Sequence, residues 1–264
     1  MFKDSFRKTF LIKIGGSVLS NQDSTIEDIV ELQKQGHNPI IVHGGGQVIS
    51  SWMEKLGSKP KFLNGLRITD SDNIDIVTAT LAGLVNKNLV ASIHKIGGKA
   101  IGISGVDGAM LQADILDPDL GYVGRVTKVN AKPIEQIVNS GHIPVIAPLA
   151  IHDIDIQNHN NVLLNVNGDT AAGAIAKELS SDAIIFLTDV EGIMDSEKNI
   201  LTTIESHAIS GLIRSGTING GMVPKVQACI KAIETVGLAQ IIDGRKNRAL
   251  LDFFDGKTTG TRIL

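Results

Sequence analysis

What most limits the fold of this chain is a repeated change of hydrophobic period. Six apolar, largely β-branched runs occur at Phe10–Ile14, Pro39–Val42, Ala100–Ile103, Ile143–Ala147, Ala183–Leu187 and Leu238–Ile242. Each is only four or five residues long. Between them lie stretches with helical spacing: Thr25–Gln35, Gln47–Leu56, Asp72–Ile96, Lys132–Asn139, Asp169–Leu179 and Gly221–Val236. Short runs that are apolar throughout fit strands covered on both faces, and intervening helices supply the crossovers that parallel strands need. Gly36-His37-Asn38-Pro39 and Ser140-Gly141-His142-Ile143-Pro144 end helices and feed strands, a glycine stop followed by proline. The expected fold class is α/β, a three-layer sandwich around a mostly parallel open sheet. Met110–Lys128 and Ala150–Leu164 alternate apolar and polar residues between turn residues and read as flanking β-hairpins laid beside that sheet. No linker, repeat or low-complexity tract interrupts the chain, so residues 1–264 read as a single domain with two lobes divided near residue 180.

Composition excludes several function classes. Hydrophobic residues at 42% and charged residues at 20% exclude a disordered chain. The net charge of -3 offers no basic excess for nucleic acid or an anionic membrane, and 3% aromatics offer no stacking platform for single strands. The single cysteine, Cys229, excludes an internal disulfide framework and a cysteine zinc cluster, fits a reducing compartment, and reads as a helix core residue. Met1 to Lys8 carries charges of both signs and reads as no targeting signal. No apolar run approaches the ~20 residues of a membrane helix. A soluble cytoplasmic protein is therefore expected. The histidines show no metal-ligand spacing, no metal-ligating residues are expected, and His152 and His159 read as hairpin surface.

The glycines gather where strands end. Lys13-Ile14-Gly15-Gly16-Ser17 puts a lysine inside a buried-looking strand, either to present an ammonium and bare backbone N–H groups to an anion or to snorkel beside an ordinary turn. His43-Gly44-Gly45-Gly46 follows the second strand and opens a helix, where positive φ, close backbone approach and helical N–H groups suit an anion; a plain flexible turn is the alternative. Asn64-Gly65-Leu66-Arg67 sets an arginine able to clamp a carboxylate, or merely solvated, ahead of a helix that Thr69 or Asp70 can cap. In Asn165-Val166-Asn167-Gly168-Asp169 the first and last residues can face one site, and Asp169 can also cap the helix that follows. Asp189-Val190-Glu191-Gly192-Ile193-Met194 closes a strand at the edge where open α/β sheets bind ligands. Gly220-Gly221-Met222-Val223-Pro224-Lys225 places a lysine in the first turns of a helix, disfavoured by the dipole unless anions are near, or else on an exposed face. Gly256-Lys257-Thr258 lacks the first P-loop glycine, since position 251 is Leu, and reads as a surface turn.

Five of these segments, with the closing Gly260-Thr261-Arg262-Ile263-Leu264, stand in an order that resembles the amino-acid kinase family over nearly the whole chain, and within it the branch acting on N-acetyl-L-glutamate. Gly168 departs from the alanine usual there. The resemblance implies ATP-dependent phosphorylation of a side-chain carboxylate, with Mg²⁺ accompanying the nucleotide, in the acetylated route of arginine biosynthesis. It implies an N-lobe for the acyl substrate and dimerisation and a C-lobe for ATP. Lys13, Lys225 and Asp169 would be catalytic, the two lysines neutralising the transferring phosphoryl group and Asp169 orienting them. Gly45, Gly46, Arg67 and Asn165 would bind the acyl substrate. Gly15, Gly16, Asp189, Val190, Glu191, Gly192, Ile193, Met194, Thr217, Ile218 and Asn219 would bind the nucleotide. A sister kinase acting on carrier-protein-linked aminoadipate or glutamate is the nearest rival, though such relatives replace the third glycine of His43–Gly46 and lack Asn64–Arg67. A catalytically inactive sensor of acyl-amino acids is the other, against which the retention of Lys13, Lys225 and Asp169 argues.

Arginine-inhibited members of the family join dimers through an extra N-terminal helix. The nine residues before Phe10 would span only ~13 Å even if fully helical, too few for a stable isolated helix. The resemblance thus implies a homodimer that arginine does not inhibit. Light scattering should give about twice the chain mass of 28.0 kDa with and without millimolar arginine; an arginine-inhibited hexamer would overturn this expectation.

Overall fold

The computed structural model describes residues 7–16, 23–153 and 163–264. The strands are β1 (Thr9–Ile14), β2 (Asn38–His43), β3 (Phe62–Leu63), β4 (Leu66–Arg67), β5 (Ala100–Ser104), β6 (Leu111–Ile115), β7 (Val123–Val129), β8 (Ile143–Ala147), β9 (Leu149–His152), β10 (Leu163–Val166), β11 (Ala183–Thr188), β12 (Thr203–Ile204), β13 (Ala239–Asp243) and β14 (Thr261–Ile263). The helices are α1 (Asp23–Lys34), α2 (Gly46–Lys55), α3 (Ser71–Thr78), α4 (Asn86–Lys95), α5 (Lys132–Asn139), α6 (Gly168–Glu178), α7 (Ser206–Arg214), α8 (Met222–Ile233) and α9 (Ala249–Phe254).

Eight strands make one sheet in the order β12-β14-β13-β11-β1-β2-β8-β5. Neighbours are parallel except β13 with β14. Alternate residues of β1 serve opposite layers, as the two-residue period of a strand requires. Phe10, Ile12 and Ile14 join the core formed with α1, α4 and α9, whereas Leu11 joins the core formed with α6 and α8. Lys13 shares the face of Leu11. The α/β three-layer architecture expected from the apolar runs is therefore the observed one.

The two hairpins form, β6 with β7 and β9 with β10, but they do not lie separately beside the sheet. Parallel pairing of β7 with β10 and of β6 with β9 closes them into a four-stranded barrel. That closure corrects the placement of His152. Alternation carries it to the same inward face as Ala150, and it is buried rather than on the surface. His159 lies outside the described residues.

The expected long helix over Asp72–Ile96 is a continuous helical run, α3 and α4 joined by π-helical residues Ala79–Val85. Ser71–Lys95 has a most apolar window of mean hydropathy 1.4 and is, among the described residues, long and apolar enough to cross a membrane. This corrects the expectation that no run approaches that length. Its residues Ile74, Val77, Leu81, Val85, Leu89 and Ile93 are buried within the protein.

The short helix α9 carried no periodic signal and depends on a tertiary cap. It opens on Arg248, at φ 58°, without a side-chain cap of its own. Asp28 of α1 reaches across instead, its Oδ2 accepting the N–H groups of Leu250 at 3.0 Å and Leu251 at 3.5 Å. Asp28→Ala should lower the unfolding free energy by about 1–3 kcal/mol in denaturant titration, because the capped donors are buried. Asp28→Asn, which keeps an acceptor, should lose less.

Candidate active site

Three elements bring one carboxylate between two ammonium groups. β1, in the middle of the sheet, delivers Lys13; α6 delivers Asp169; α8 delivers Lys225. Lys13 Nζ lies 2.7 Å from Asp169 Oδ1, and Lys225 Nζ lies 3.1 Å from Asp169 Oδ2. All three side chains are largely buried, that of Asp169 at 6% exposure. Asp169 does not cap α6. Asn167 does, its Oδ1 accepting from the N–H of Asp169 at 2.9 Å and of Thr170 at 3.1 Å. The aspartate carboxylate is thereby left for the lysines, while the helix N-terminus still favours its charge. One turn further on, a Cβ on Gly173 would fall 3.0 Å from the Ala228 carbonyl oxygen, so these two helices pack backbone to backbone and set the gap between Asp169 and Lys225.

Burial pushes the Lys13 ammonium below its ordinary pKa, against the pull of Asp169. Burial pushes the Asp169 carboxyl up, but Lys13 and Lys225 outweigh it and hold it below the usual carboxylate range. Two ammoniums around one carboxylate leave a net positive charge, buried and aimed at the carboxyl end of the sheet. Such a site is built to attract an anion.

Beside this triad lies a cavity of about 210 Å³. Lys13, Gly16 and Gly44–Gly46 form one wall, and Asn165–Gly168 with Pro148 form another. Phe62, Gly65, Leu66 and Arg67 of the small β3–β4 hairpin cover it, and Ile49, Leu81 and Val123 give it an apolar end. Gly45, Gly46, Arg67 and Asn165 are thus gathered around one space. Arg67 is buried rather than solvated. Its Nη2 donates to Gly46 O and Ser50 Oγ, both at 2.8 Å, its Nη1 to Met53 Sδ at 3.2 Å, and its guanidinium stacks over the Phe62 ring at 4.8 Å. Asn165 Nδ2 donates to Thr69 Oγ1 at 3.1 Å, which holds its amide. Asp70, as the sequence allowed, caps α3. The Gly44–Gly46 run does not use positive φ: Gly45 sits at φ -179° and ψ 13°. A Cβ on Gly45 would sit 2.7 Å from Leu81 Cδ2 and 3.4 Å from Val85 Cγ2, so a side chain there would have to displace the end of Leu81. Gly168 would accept the alanine usual among its look-alikes with little adjustment, the nearest atom to a Cβ being Lys13 Cε at 3.4 Å.

The other expected contacts are less uniform. Gly16 lines the cavity, whereas the N–H of Gly15 donates to Leu187 O at 3.1 Å within the sheet. Asp189, Val190, Glu191, Gly192 and Met194 follow the end of β11, and the Asp189 charge acts on Lys13. Ile193 and Ile218 bury their side chains in the core with α6 and α8, and the Ile193 N–H donates to Thr261 Oγ1 at 2.8 Å. Thr217 and Asn219 sit in the turn before α8, where Asn219 Nδ2 donates to Gly216 O at 2.8 Å. A larger depression, about 610 Å³ between α1 and α9, contains none of the expected site residues. Sequence reasoning did not single out Ile49, Phe62, Leu81, Val123 and Pro148. The first four sit in ordinary apolar or hairpin patterns, and only the folding of those patterns around one space distinguishes them.

The family model described as the amino acid kinase family matches residues 8–242. An acetylglutamate kinase of Caldanaerobacter subterraneus is 44% identical, over 97% of this chain and 87% of its own length. One from Dehalococcoides mccartyi is 40% identical, over 96% of this chain and 93% of its own. A Streptococcus mutans crystal structure superposes with a TM-score of 0.83 at 32% identity, covering 97% of this chain and 98% of that one. Carbamate kinase from Giardia lamblia bound to AMP-PNP shares the fold at a TM-score of 0.73 and 19% identity, over 99% of both chains.

Because Asp169 is held below its ordinary pKa, its contribution to stability is complete above the unfolded value of ~3.9 and disappears as pH falls through the folded value. Asp169→Asn should therefore be less stable than the parent at pH 7, and the difference should shrink as pH falls below about 4. Urea unfolding across that range checks it.

Proposed function

This chain belongs to the amino acid kinase family, and from that premise we propose that it transfers the γ-phosphoryl group of ATP to the γ-carboxylate of N-acetyl-L-glutamate. The products are N-acetyl-L-glutamyl 5-phosphate and ADP, which places the reaction second in arginine biosynthesis by the acetylated route. The observation that carries this reading is the buried Lys13–Asp169–Lys225 triad, whose Lys13 lines a cavity of amino-acid size. At about 210 Å³ that cavity is smaller than the roughly 300–1,000 Å³ of drug-sized sites.

The residue types suit the reaction. A free γ-carboxylate has a pKa of about 4.3 and is already ionised at neutral pH, so no general base is needed. The difficulty is the approach of one anion to another. As the carboxylate oxygen bonds to the γ-phosphorus, the bond from that phosphorus to the oxygen of the departing ADP breaks, and negative charge spreads over the phosphoryl oxygens. Lys13 and Lys225 would face that charge, and Asp169 keeps the two ammoniums from repelling each other out of position. Arg67, fixed on α2 through Gly46 and Ser50, has donors left for the α-carboxylate of the acceptor, beside Asn165. Gly45 and Gly46 would offer backbone N–H groups to the acceptor. Gly15, Gly16, Asp189–Met194 and Thr217–Asn219 would surround the nucleotide, Ile193 and Ile218 through backbone alone. Mg²⁺ would be held chiefly by the phosphate oxygens of ATP, as is usual for this ion at nucleotide sites, and would supply charge neutralisation there. We assign residues up to about 180 to acceptor binding and dimerisation and the remainder to ATP, in a cytoplasmic homodimer.

Incubation with ATP, N-acetyl-L-glutamate and hydroxylamine should yield a hydroxamate and ADP. Product with another acid but none with N-acetylglutamate would move the assignment to a sister kinase, and ligand binding without ADP release would make the chain a sensor. Lys13→Ala or Lys225→Ala should lower kcat by roughly 10²–10³, the cost of losing one charge-stabilising donor. Arg67→Lys should mainly raise KM for the acceptor, because lysine cannot hold Gly46 and Ser50 and clamp a carboxylate as a planar fork does.

A further inference from the structure

The glycine run beside the cavity begins with a histidine that the reaction does not use. His43 is fully buried at the end of β2. Its Nδ1 lies 2.9 Å from the Gly44 carbonyl oxygen, and its Nε2 lies 3.1 Å from Asn86 Nδ2. Asn86, at the start of α4, is also fully buried, and its amide has one sensible orientation. Lys87 Nζ donates to Asn86 Oδ1 at 3.0 Å, and Asn86 Nδ2 donates to Val145 O at 2.9 Å. Flipping the amide would set NH₂ against the ammonium and oxygen against a carbonyl. The two hydrogens of Asn86 Nδ2 are shared among Val145 O, His43 Nε2 and, at 3.3 Å, Ile103 O, and a protonated Nε2 would set donor against donor, so Nε2 is bare and the ring proton sits on Nδ1 and is donated to Gly44 O. β5 makes room for this amide with Gly102, where a Cβ would fall 2.0 Å from Asn86 Oδ1. Lys87 also donates to Gly102 O at 2.8 Å. Burial, with Lys87 and Lys13 adding to it against the Gly44 hydrogen bond, pushes the His43 pKa down to about 4, so the ring is neutral at working pH.

The consequence runs through one rigid peptide. The Gly44 carbonyl and the Gly45 N–H belong to the same planar trans unit and point in opposite directions. Fixing the carbonyl toward the buried ring turns the Gly45 N–H the other way, on a residue that lines the cavity. We propose that His43, locked by Asn86 in its Nδ1–H form, is a positioning residue that sets the Gly44–Gly45 peptide so that the Gly45 N–H faces the acceptor. The inference rests on the reading of this cavity as the acceptor site.

Two substitutions separate the halves of the ring. The amide of asparagine sits near Nδ1 and that of glutamine near Nε2. His43→Gln should raise KM for N-acetyl-L-glutamate by roughly tenfold, the scale of one oriented hydrogen bond to a charged ligand, and leave KM for ATP unchanged. His43→Asn, which keeps a donor toward Gly44 O, should recover most of that loss. ¹⁵N spectra of the unmodified protein should show His43 protonated at Nδ1 and bare at Nε2 around pH 7, a measurement that needs no variant to fold. A protonated Nε2 would overturn the proposal. So would a His43→Gln protein that loses thermal stability and kcat with both KM values unchanged, since that is a purely structural role. If the parent protein does not phosphorylate N-acetyl-L-glutamate, the functional reading fails instead, whatever the spectra show.

Discussion

A lysine in the middle of a sheet is the constraint around which this protein is arranged. Lys13 stands where β1 would otherwise bury another aliphatic side chain, and an ammonium there is costly without a partner. Asp169 meets it at 2.7 Å, but a single buried pair would be neutral and of little use to an anion. Lys225 supplies the imbalance. The strand, α6 and α8 must therefore converge to within hydrogen-bond distance, and the small residues of α6, with Gly173 against Ala228, allow that convergence. The packing of two helices and the charge of the site are one structural fact.

The same edge of the sheet gathers uncharged backbone beside the triad. β1 and β2 both end in glycines, and the loops nest closely: a Cβ on Gly16 would lie 3.5 Å from Gly46 N. Two backbones can approach each other and a ligand here because neither carries side chains. α2 opens directly from the second loop, so its N-terminal dipole adds to the field of the lysines. Arg67 arrives from a separate hairpin yet is bonded to Gly46 and Ser50 in the first two turns of α2, which couples the cover of the cavity to its wall.

Much of this was legible in the chain. The apolar runs announced the parallel sheet, because a strand buried on both faces has no polar side to alternate. The glycines after Ile14 and His43, and the lysines at 13 and 225, marked the edge where the triad and the cavity gather, because burying charge and omitting side chains both demand a reason. Other features were not legible. Asp169 reads as a helix cap on paper, and only the tertiary structure gives that role to Asn167 and turns Asp169 toward Lys13. Leu81 reads as one more position of an apolar helix stripe. His152 reads as half of an exposed hairpin until two hairpins close on each other and put it inside.

The sequence by itself determined the layered α/β class, the places of the central strands and their crossover helices, and the residue types gathered at the carboxyl edge of the sheet, since periodicity, turn chemistry and the cost of buried charge are local or nearly local. Tertiary structure decided which of those groups meet. Asp28 caps a helix more than 200 residues away, Asn86 fixes the tautomer of His43 from a different layer, and Asp169 sits between two lysines that lie far from each other in the chain. Such pairings depend on distances of a few ångströms between elements brought together by packing, and a one-dimensional pattern carries no record of them.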